Sequence, residues 1–380
     1  MFMLALVAPV TARPDARALA ADFNAFFEQR VQEEGIPGAA FAVVTPSDVI
    51  HIGTTGHTDT ARTRKINENT AFRVASVSKT FAAGLTAVLV AEGAFAWDDR
   101  VVDHLPGFRL KGDAGVLRIR DLLGQSTGLI PHAYDNLIED GLPLERIVPK
   151  LSTLGYICAP GDCYSYQNIV FSLIEPVMQR TTQHSYAELM NEKIFAPLDM
   201  RNASVGLAPL VNDPNHARPH VKSRGQWRTV RVEPNYYRVA PAAGVNASVL
   251  DMAKWLMAQM GANPDVLAPE MVRTMSTPRV ETRRDLRRKY WRDILTDAHY
   301  ALGWRVYRIG AHELVYHSGW VSGYRADIAW SREYGLGLAI LMNAEGSTIS
   351  ELSTDFWQRV FRQPPAASGG RMLTATAASR

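Results

Sequence analysis

The sequence predicts an α+β protein: one antiparallel sheet of about five strands, drawn from both ends of the chain and flanked by terminal helices, with a large, mostly helical insertion. Three observations predict it. Strand-like apolar runs occur near the start, at Ala39–Val44 and Val49–Gly53, and again after Ala301. A segment of helical periodicity brackets each set, Ala18–Glu34 at one end and Ser350–Phe361 at the other. From about Gly93 to Tyr300 the pattern is helical segments separated by Pro/Gly loops.

Taken in order, residues 1–12 (MFMLALVAPVTA) form a short apolar run ending in small residues, expected to be the remnant of a signal peptide truncated at its start, which implies a periplasmic or secreted protein. The first helix stops at Gly35-Ile36-Pro37-Gly38, and the two strands after it form a hairpin around Thr45-Pro46-Ser47-Asp48. Further helices are expected at Ile119–Leu123, Ile169–Gln179, Tyr186–Phe195 and Val249–Met260, the last opening with Ser248 and Asp251. Strands follow at Leu302–Tyr307, Glu313–Tyr316, Tyr324–Trp330 and Leu336–Met342. A single domain over 13–362 would then comprise a sheet lobe (about 18–75 and 300–362) and a helical lobe (about 76–299), and the Ala/Ser/Gly/Pro-rich tail 363–380 is expected to be disordered.

Composition narrows the function. A formal charge of +3 over 380 residues argues against nucleic acid, and the basic run Arg283–Lys289 reads as a solvated helix face. No stretch reaches the roughly 18 apolar residues of a membrane span. No phosphate-binding or dinucleotide loop is present, so no cofactor is expected. His216 and His220 have the spacing of a helical metal pair, but Pro219 lies between them and no Glu follows His216, so no metal is expected either. The partner left is a small-molecule or peptide substrate, with a monomer favoured.

Candidate chemistry begins in Ala71–Gly93, where a short strand-like run meets Ser76-Val77-Ser78-Lys79 and then an apolar helix. Residues three apart on a helix share a face, so Lys79 can approach the Ser76 hydroxyl. The plainer alternative is that Ser76 or Ser78 caps the helix. A capping box, however, would place an acid where Lys79 stands, and a cation in the first turn opposes the helix dipole. A second cluster, Tyr164-Ser165-Tyr166-Gln167-Asn168, precedes an apolar helix; its alternatives are a packed tyrosine beside an asparagine cap, and Tyr134-Asp135-Asn136 repeats the pattern. Cys158 and Cys163 flank a Pro-Gly turn that could bring them within disulfide range. The third cluster, His317-Ser318-Gly319-Trp320, ends a strand where small residues would let a substrate approach the backbone. A rival nucleophile, Ser126 in Gly124-Gln125-Ser126-Thr127-Gly128, lacks the strand before it and the helix after it that a G-x-S-x-G elbow requires.

In this order the three clusters resemble the SxxK, YxN and KTG-type motifs of the serine β-lactamase and penicillin-binding protein superfamily. The likeness is closest to class C β-lactamases, with D,D-carboxypeptidases and family VIII esterases as relatives. Val239–Val245 and Asp251–Trp255 also resemble a class C stretch, and the likeness runs from Phe23 to Phe361. It implies a β-lactamase/transpeptidase-like fold with the active site between the lobes, and hydrolysis of a β-lactam or related amide through an acyl-enzyme. Ser76 would be acylated, Lys79 would activate it, and Tyr166 would relay the proton. Asn168 would orient the substrate's amide side chain. His317, with Ser318 and Gly319, would stand for Lys-Thr-Gly, and the amides of Ser76 and Trp320 would form the oxyanion hole. Asn343 lies where some relatives contact a substrate carboxylate. A histidine partly charged near neutral pH would hold a carboxylate less firmly than lysine, and activity would fall as pH rises through its pKa. The alternatives implied are a D-alanyl-D-alanine peptidase, a carboxylesterase, and a penicillin-binding sensor that acylates and stalls.

Overall fold

Strand β1 (Gly38–Val44) reads GAAFAVV and is buried along its whole length. Only a strand covered on both faces tolerates so continuous an apolar run. The computed structural model, which describes residues 15–365, provides both covers. On one face lie helix α1 (Ala16–Glu33) and the C-terminal helix. Phe23 of α1 meets Phe41 of β1 edge-on at 4.9 Å and Phe356 at 5.1 Å. On the other face lies the helical lobe, whose principal elements are α2 (Ser78–Ala91), α3 (Val249–Gln259) and α4 (Pro269–Ser276); α5 (Thr348–Phe361) is the C-terminal helix.

The sheet is wider than the sequence predicts. It has eight strands, all pairing antiparallel: β1, β2 (Val49–Gly56), β3 (Val280–Glu281), β4 (Asp297–Tyr300), β5 (Arg305–Ile309), β6 (His312–Val321), β7 (Tyr324–Ser331) and β8 (Leu336–Met342). Their order is β2-β1-β8-β7-β6-β5-β4-β3, so the two ends of the chain meet where β1 pairs with β8, Phe41 opposite Ile340. The expectation of about five strands fails at β3 and β4, which fall inside the stretch assigned to the helical lobe. They are two and four residues long, too short to display a period. The basic run is also corrected: it is not a helix face but a loop around the single 3₁₀ turn Asp285–Arg287, with Asp285 buried and Arg288 half-buried against the sheet.

Helix α2 is held by α3. Trp255 stacks on Phe81 at 4.3 Å and donates its indole N–H to Thr80 Oγ1 at 3.0 Å. Gly84 admits that ring, since a Cβ there would lie 2.6 Å from Trp255 Cη2. Ser248 caps α3, accepting from the Asp251 amide while Asp251 accepts from the Ser248 amide. No helix among the described residues is long and apolar enough to cross a membrane. The expected signal-peptide remnant lies outside the described residues, as does the expected tail beyond residue 365.

Candidate active site

From Thr70 to Leu89 every residue is buried except Ser76. Ser76 occupies a 3₁₀ turn, Ala75–Val77, that precedes α2. Lys79 follows three residues on, in the first turn of α2, and so shares a face with Ser76. The turn is reached through Ala75 at φ +50°, a left-handed conformation unfavourable for alanine. Neither serine caps the helix: α2 has no side-chain cap, and Ser78 Oγ instead accepts from the Val245 amide at 3.0 Å. Lys79 is completely buried, its Nζ donating to Asn168 Oδ1 at 2.8 Å and to the Ala242 carbonyl at 3.0 Å. Burial lowers its pKa below the usual lysine range, against the opposing pull of Tyr166.

Tyr166 brings its ring over that ammonium, 4.7 Å from centroid to Nζ. Burial alone would raise the phenol's pKa, but the cations of Lys79 and Arg305 outweigh it, and the pKa falls below its ordinary value. The loop carrying Tyr166 is clamped from both sides: Gln125 Nε2 donates to the Gln167 carbonyl at 3.0 Å, and the Tyr166 carbonyl accepts from the His132 amide at 2.8 Å. Cys158 and Cys163 are joined by a disulfide at the start of the same loop. Asn168 is held at both ends of its amide, its Nδ2 donating to Asp135 Oδ2 at 2.8 Å while its Oδ1 accepts from Lys79. The competing Tyr134 faces elsewhere, bonded to Thr153 Oγ1 at 2.6 Å. Ser126, the rival nucleophile, is buried in the supporting loop, where its carbonyl accepts from the Gly161 amide.

The third cluster lies on β6. Strand β5 pairs only as far as Arg305 opposite Tyr316, which leaves the β6 edge from His317 to Val321 open. On the other side, Val321 and Tyr324 close a two-residue hairpin turn. Antiparallel pairing alternates from that closing pair, so the Trp320 N–H points away from β7 toward the open edge. Gly319 lies against the turn that carries Ser76, since a Cβ there would sit 3.1 Å from Ser76 N. The amides of Ser76 and Trp320 thus border one space.

Two expectations on this side are corrected. His317 is fully buried and absent from the cleft wall. Its Nδ1–H donates to the Ser318 carbonyl at 2.9 Å, and Nε2 accepts from Arg305 Nη1 at 3.2 Å. Burial, then the cations of Arg305 and Lys79, hold the imidazole well below the usual histidine range. It is therefore neutral and cannot titrate activity near neutral pH. Asn343 does not reach the cleft either: it is buried, with Nδ2 donating to the carbonyls of His57 and Thr58 at 3.1 and 3.2 Å. Nor do His216 and His220 form a metal pair, since His220 bonds Asn343 O and Thr229 Oγ1. Among the described residues no cluster of His, Cys, Asp or Glu is placed to hold a metal ion.

Ser76, Tyr166, Asn168, Ser318 and Trp320 all line one cleft of about 780 Å³. Sequence reasoning missed several of its walls. Arg305 is paired with Asp285 at 2.9 Å and donates to the Tyr164 hydroxyl at 3.1 Å. Arg288 donates to Ser318 Oγ at 3.2 Å and to the Tyr307 hydroxyl at 3.0 Å. An arginine set between Trp304 and Val306 was the available signal for Arg305; nothing in the basic run singled out Arg288.

A family model described as Beta-lactamase matches residues 23–358. Among curated proteins, Esterase EstB of Burkholderia gladioli is 30% identical over 204 residues, which is 50% of this chain and 52% of that protein. Unguisins hydrolase ungD' of Aspergillus campestris is 25% identical over 352 residues, covering 86% of this chain and 62% of that protein. Protein flp of Staphylococcus aureus is 22% identical, with 87% and 64% covered. The chain therefore spans between about half and two thirds of the length of these relatives. Among solved structures, the octameric penicillin-binding protein homologue from Pyrococcus abyssi superposes with a TM-score of 0.81 at 21% identity, covering 90% of this chain and 78% of that one.

Proposed function

From the premise that this chain belongs to the Beta-lactamase family and is a serine hydrolase, we propose that it cleaves an amide, a β-lactam or a related bond, through an acyl-enzyme on Ser76 in the class C manner. The carrying observation is that Ser76, the one non-buried residue of its segment, lines one cleft with Tyr166, whose ring lies 4.7 Å from the buried Lys79 ammonium. The Ser76 hydroxyl gives its proton to the Tyr166–Lys79 pair, whose pKa values are both lowered, as its oxygen bonds to the substrate carbonyl carbon. Negative charge then develops on the carbonyl oxygen, where the N–H groups of Ser76 and Trp320 receive it. As the C–N bond breaks, Tyr166 returns the proton to the leaving nitrogen. A water, deprotonated by the same pair, then releases the acid and restores Ser76.

With His317 neutral and enclosed, Arg288 at Ser318 is the cation available to a substrate carboxylate. A second reading, hydrolysis of a carboxylic ester, is favoured by the absence of a lysine ammonium at the His317 position and by the esterase among the relatives. The disulfide supports a periplasmic or secreted location.

The test follows intact mass during incubation with a chromogenic cephalosporin, a D-Ala-D-Ala peptide and an aryl butyrate. An adduct on Ser76, absent from Ser76→Ala, is expected, with fastest turnover on an amide. An adduct on another residue would overturn the mechanism, and turnover of the butyrate alone would select the ester reading.

A further inference from the structure

The walls of the cleft differ in charge, and one of them holds groups that acyl transfer at Ser76 does not use. His132, Asp135, Asn136 and Glu139 recur at the three- and four-residue spacing of one helix face, around the short helix Asp135–Glu139, and all four line the cleft. His132 is fixed there. It holds φ +58°, a left-handed conformation uncommon outside glycine. Its ring centroid lies 5.4 Å from that of Tyr166, and its Nδ1–H donates to Asp135 Oδ2 at 2.9 Å. Asp135 is only 8% exposed and accepts from Asn168 as well, so the group that orients the imidazole is itself held. A carboxylate only accepts, which puts the proton of the neutral ring on Nδ1 and leaves Nε2 as an acceptor, on a side chain that is 49% exposed and lines the cleft. Glu139 accepts from the Tyr236 hydroxyl at 2.8 Å and is in no ion pair among the described residues. On the wall formed by the sheet and its adjoining loop stand Arg284, Arg288 and Arg325.

Acceptors without a matching cation on one wall and guanidinium groups on the other fit a molecule with an N–H cation at one end and a carboxylate at the other. Amide chemistry sets its direction. In an unblocked dipeptide the α-ammonium lies on the half that becomes the acyl group, and the carboxylate on the half that leaves as the amine. On the premise of an acyl-enzyme at Ser76, we propose that the substrate is a zwitterion whose acyl half carries a free α-ammonium, as an unblocked dipeptide or an α-aminoacyl β-lactam does. The ammonium donates to His132 Nε2 and to the Glu139 carboxylate, and the carboxylate of the leaving half accepts from the arginine wall. Acylating that nitrogen would remove its charge and two of its three donors. The ammonium stays with the acyl group on Ser76 and departs with the acid when water cleaves the ester, so the bonds made and broken at Ser76 are unchanged. The cleft volume of about 780 Å³ lies within the range of sites for molecules of this size, about 300–1,000 Å³.

Ampicillin and benzylpenicillin differ only in that α-ammonium, and methyl phenylglycinate and methyl phenylacetate repeat the difference in esters. The experiment measures kcat/KM for each at pH 7 and follows the adduct on Ser76 by intact mass. Within the pair that reacts, the member with the ammonium should be the better substrate by about 10–100-fold, the worth of hydrogen bonds to a charged group, and its N-acetylated form should lose the preference. His132→Phe, which keeps a ring beside Tyr166 and removes Nε2, and Glu139→Gln should each cut the ratio within the pair about tenfold. Should His132→Phe not fold by circular dichroism, Glu139→Gln, at an exposed position, must show the loss. Equal rates within the pair, or a ratio unchanged in Glu139→Gln, would overturn the proposal. An adduct on Ser76 from none of the four compounds would overturn instead the acyl-enzyme reading on which it rests.

Discussion

Gly319→Ala tests the contact between the β6 edge and the turn that carries the proposed nucleophile. A Cβ at position 319 would stand 2.1 Å from the Val74 carbonyl oxygen and 3.1 Å from both Ala75 Cβ and Ser76 N. Real Cβ atoms essentially never come within 3.0 Å of such an atom, so the two backbones must part by about 0.9 Å. Neither side is soft. The Val74 amide donates to Val245 O and its carbonyl accepts from the Val77 amide, each at 3.1 Å, and Ala75 already holds a positive φ. The displacement falls on the relation between the Ser76 and Trp320 amides. A misplacement of about 1 Å costs on the order of 10²-fold in rate, and overpacking costs about 1–3 kcal/mol in stability. The assay is stopped-flow acylation by a chromogenic substrate, with urea unfolding in parallel. We expect kcat/KM to fall about a hundredfold, mostly through kcat, because the oxyanion contact is made in the transition state. A variant that acylates at the native rate would refute this account of how Ser76 and Trp320 are held together.

Tyr166→Phe should slow acylation by about 10²–10⁴-fold with the circular dichroism spectrum unchanged, the range expected for loss of a proton relay. His317 is held below its ordinary pKa, so at pH below about 6.5 the unfolded chain binds a proton that the folded chain refuses. The part of the stability that His317 carries is then full above that pH and declines as pH falls, so the change in urea midpoint from pH 7 to pH 5 should be less unfavourable in His317→Gln than in the native chain; His220 acts in the same sense, whereas Glu175 and Asp327, raised by burial to about 7 and about 6, act in the opposite one. Arg288→Gln should raise KM about tenfold for substrates that carry a carboxylate and leave uncharged esters unaffected, as measured by steady-state kinetics on matched pairs. Replacing both Cys158 and Cys163 by serine reopens a six-residue loop; the chain-entropy relation gives a loss of about 2 kcal/mol, to be read from thermal unfolding in the oxidised protein.

The parts of this molecule that were legible in the sequence are those where a local period or a spacing carries the information. β1, β6, β7, β8 and the two terminal helices have enough residues to show a face, and Ser76 and Lys79 are three apart in one turn. β3 and β4 have too few residues, and their place at the sheet edge comes from pairing, β4 with β5 and β3 with β4. The cleft's arginines were hidden for a different reason. Arg288 and Arg283 lie in one basic run, yet Arg288 sits against Tyr307 and Ser318 while Arg283 is exposed and pairs with Glu281. Only the path of the loop separates them. His317 shows the reverse error: its place in the chain resembles that of the lysine in a KTG motif, but its protonation is set by burial and then by Arg305, twelve residues away and on another strand.

That neighbourhood also explains where a base for Ser76 comes from. With Lys79 charged and Tyr166 neutral, the charges of Lys79, Arg305, Arg288, Asp285 and Asp135 sum to +1, because two carboxylates face three cations. A net charge in a desolvated site is costly, and one proton lost from the Lys79–Tyr166 pair removes it. Both members of the pair are accordingly shifted toward deprotonation, and the proton belongs to the pair rather than to either residue. A cationic His317 would add a further charge to the same site, and its neutrality follows from the same balance. Removing the balancing carboxylate with Asp285→Asn should therefore push the Lys79–Tyr166 pair still further toward the deprotonated form. The acidic limb of the rate profile would then move to lower pH; a limb that stays in place would show that Arg305 does not set the charge of the pair.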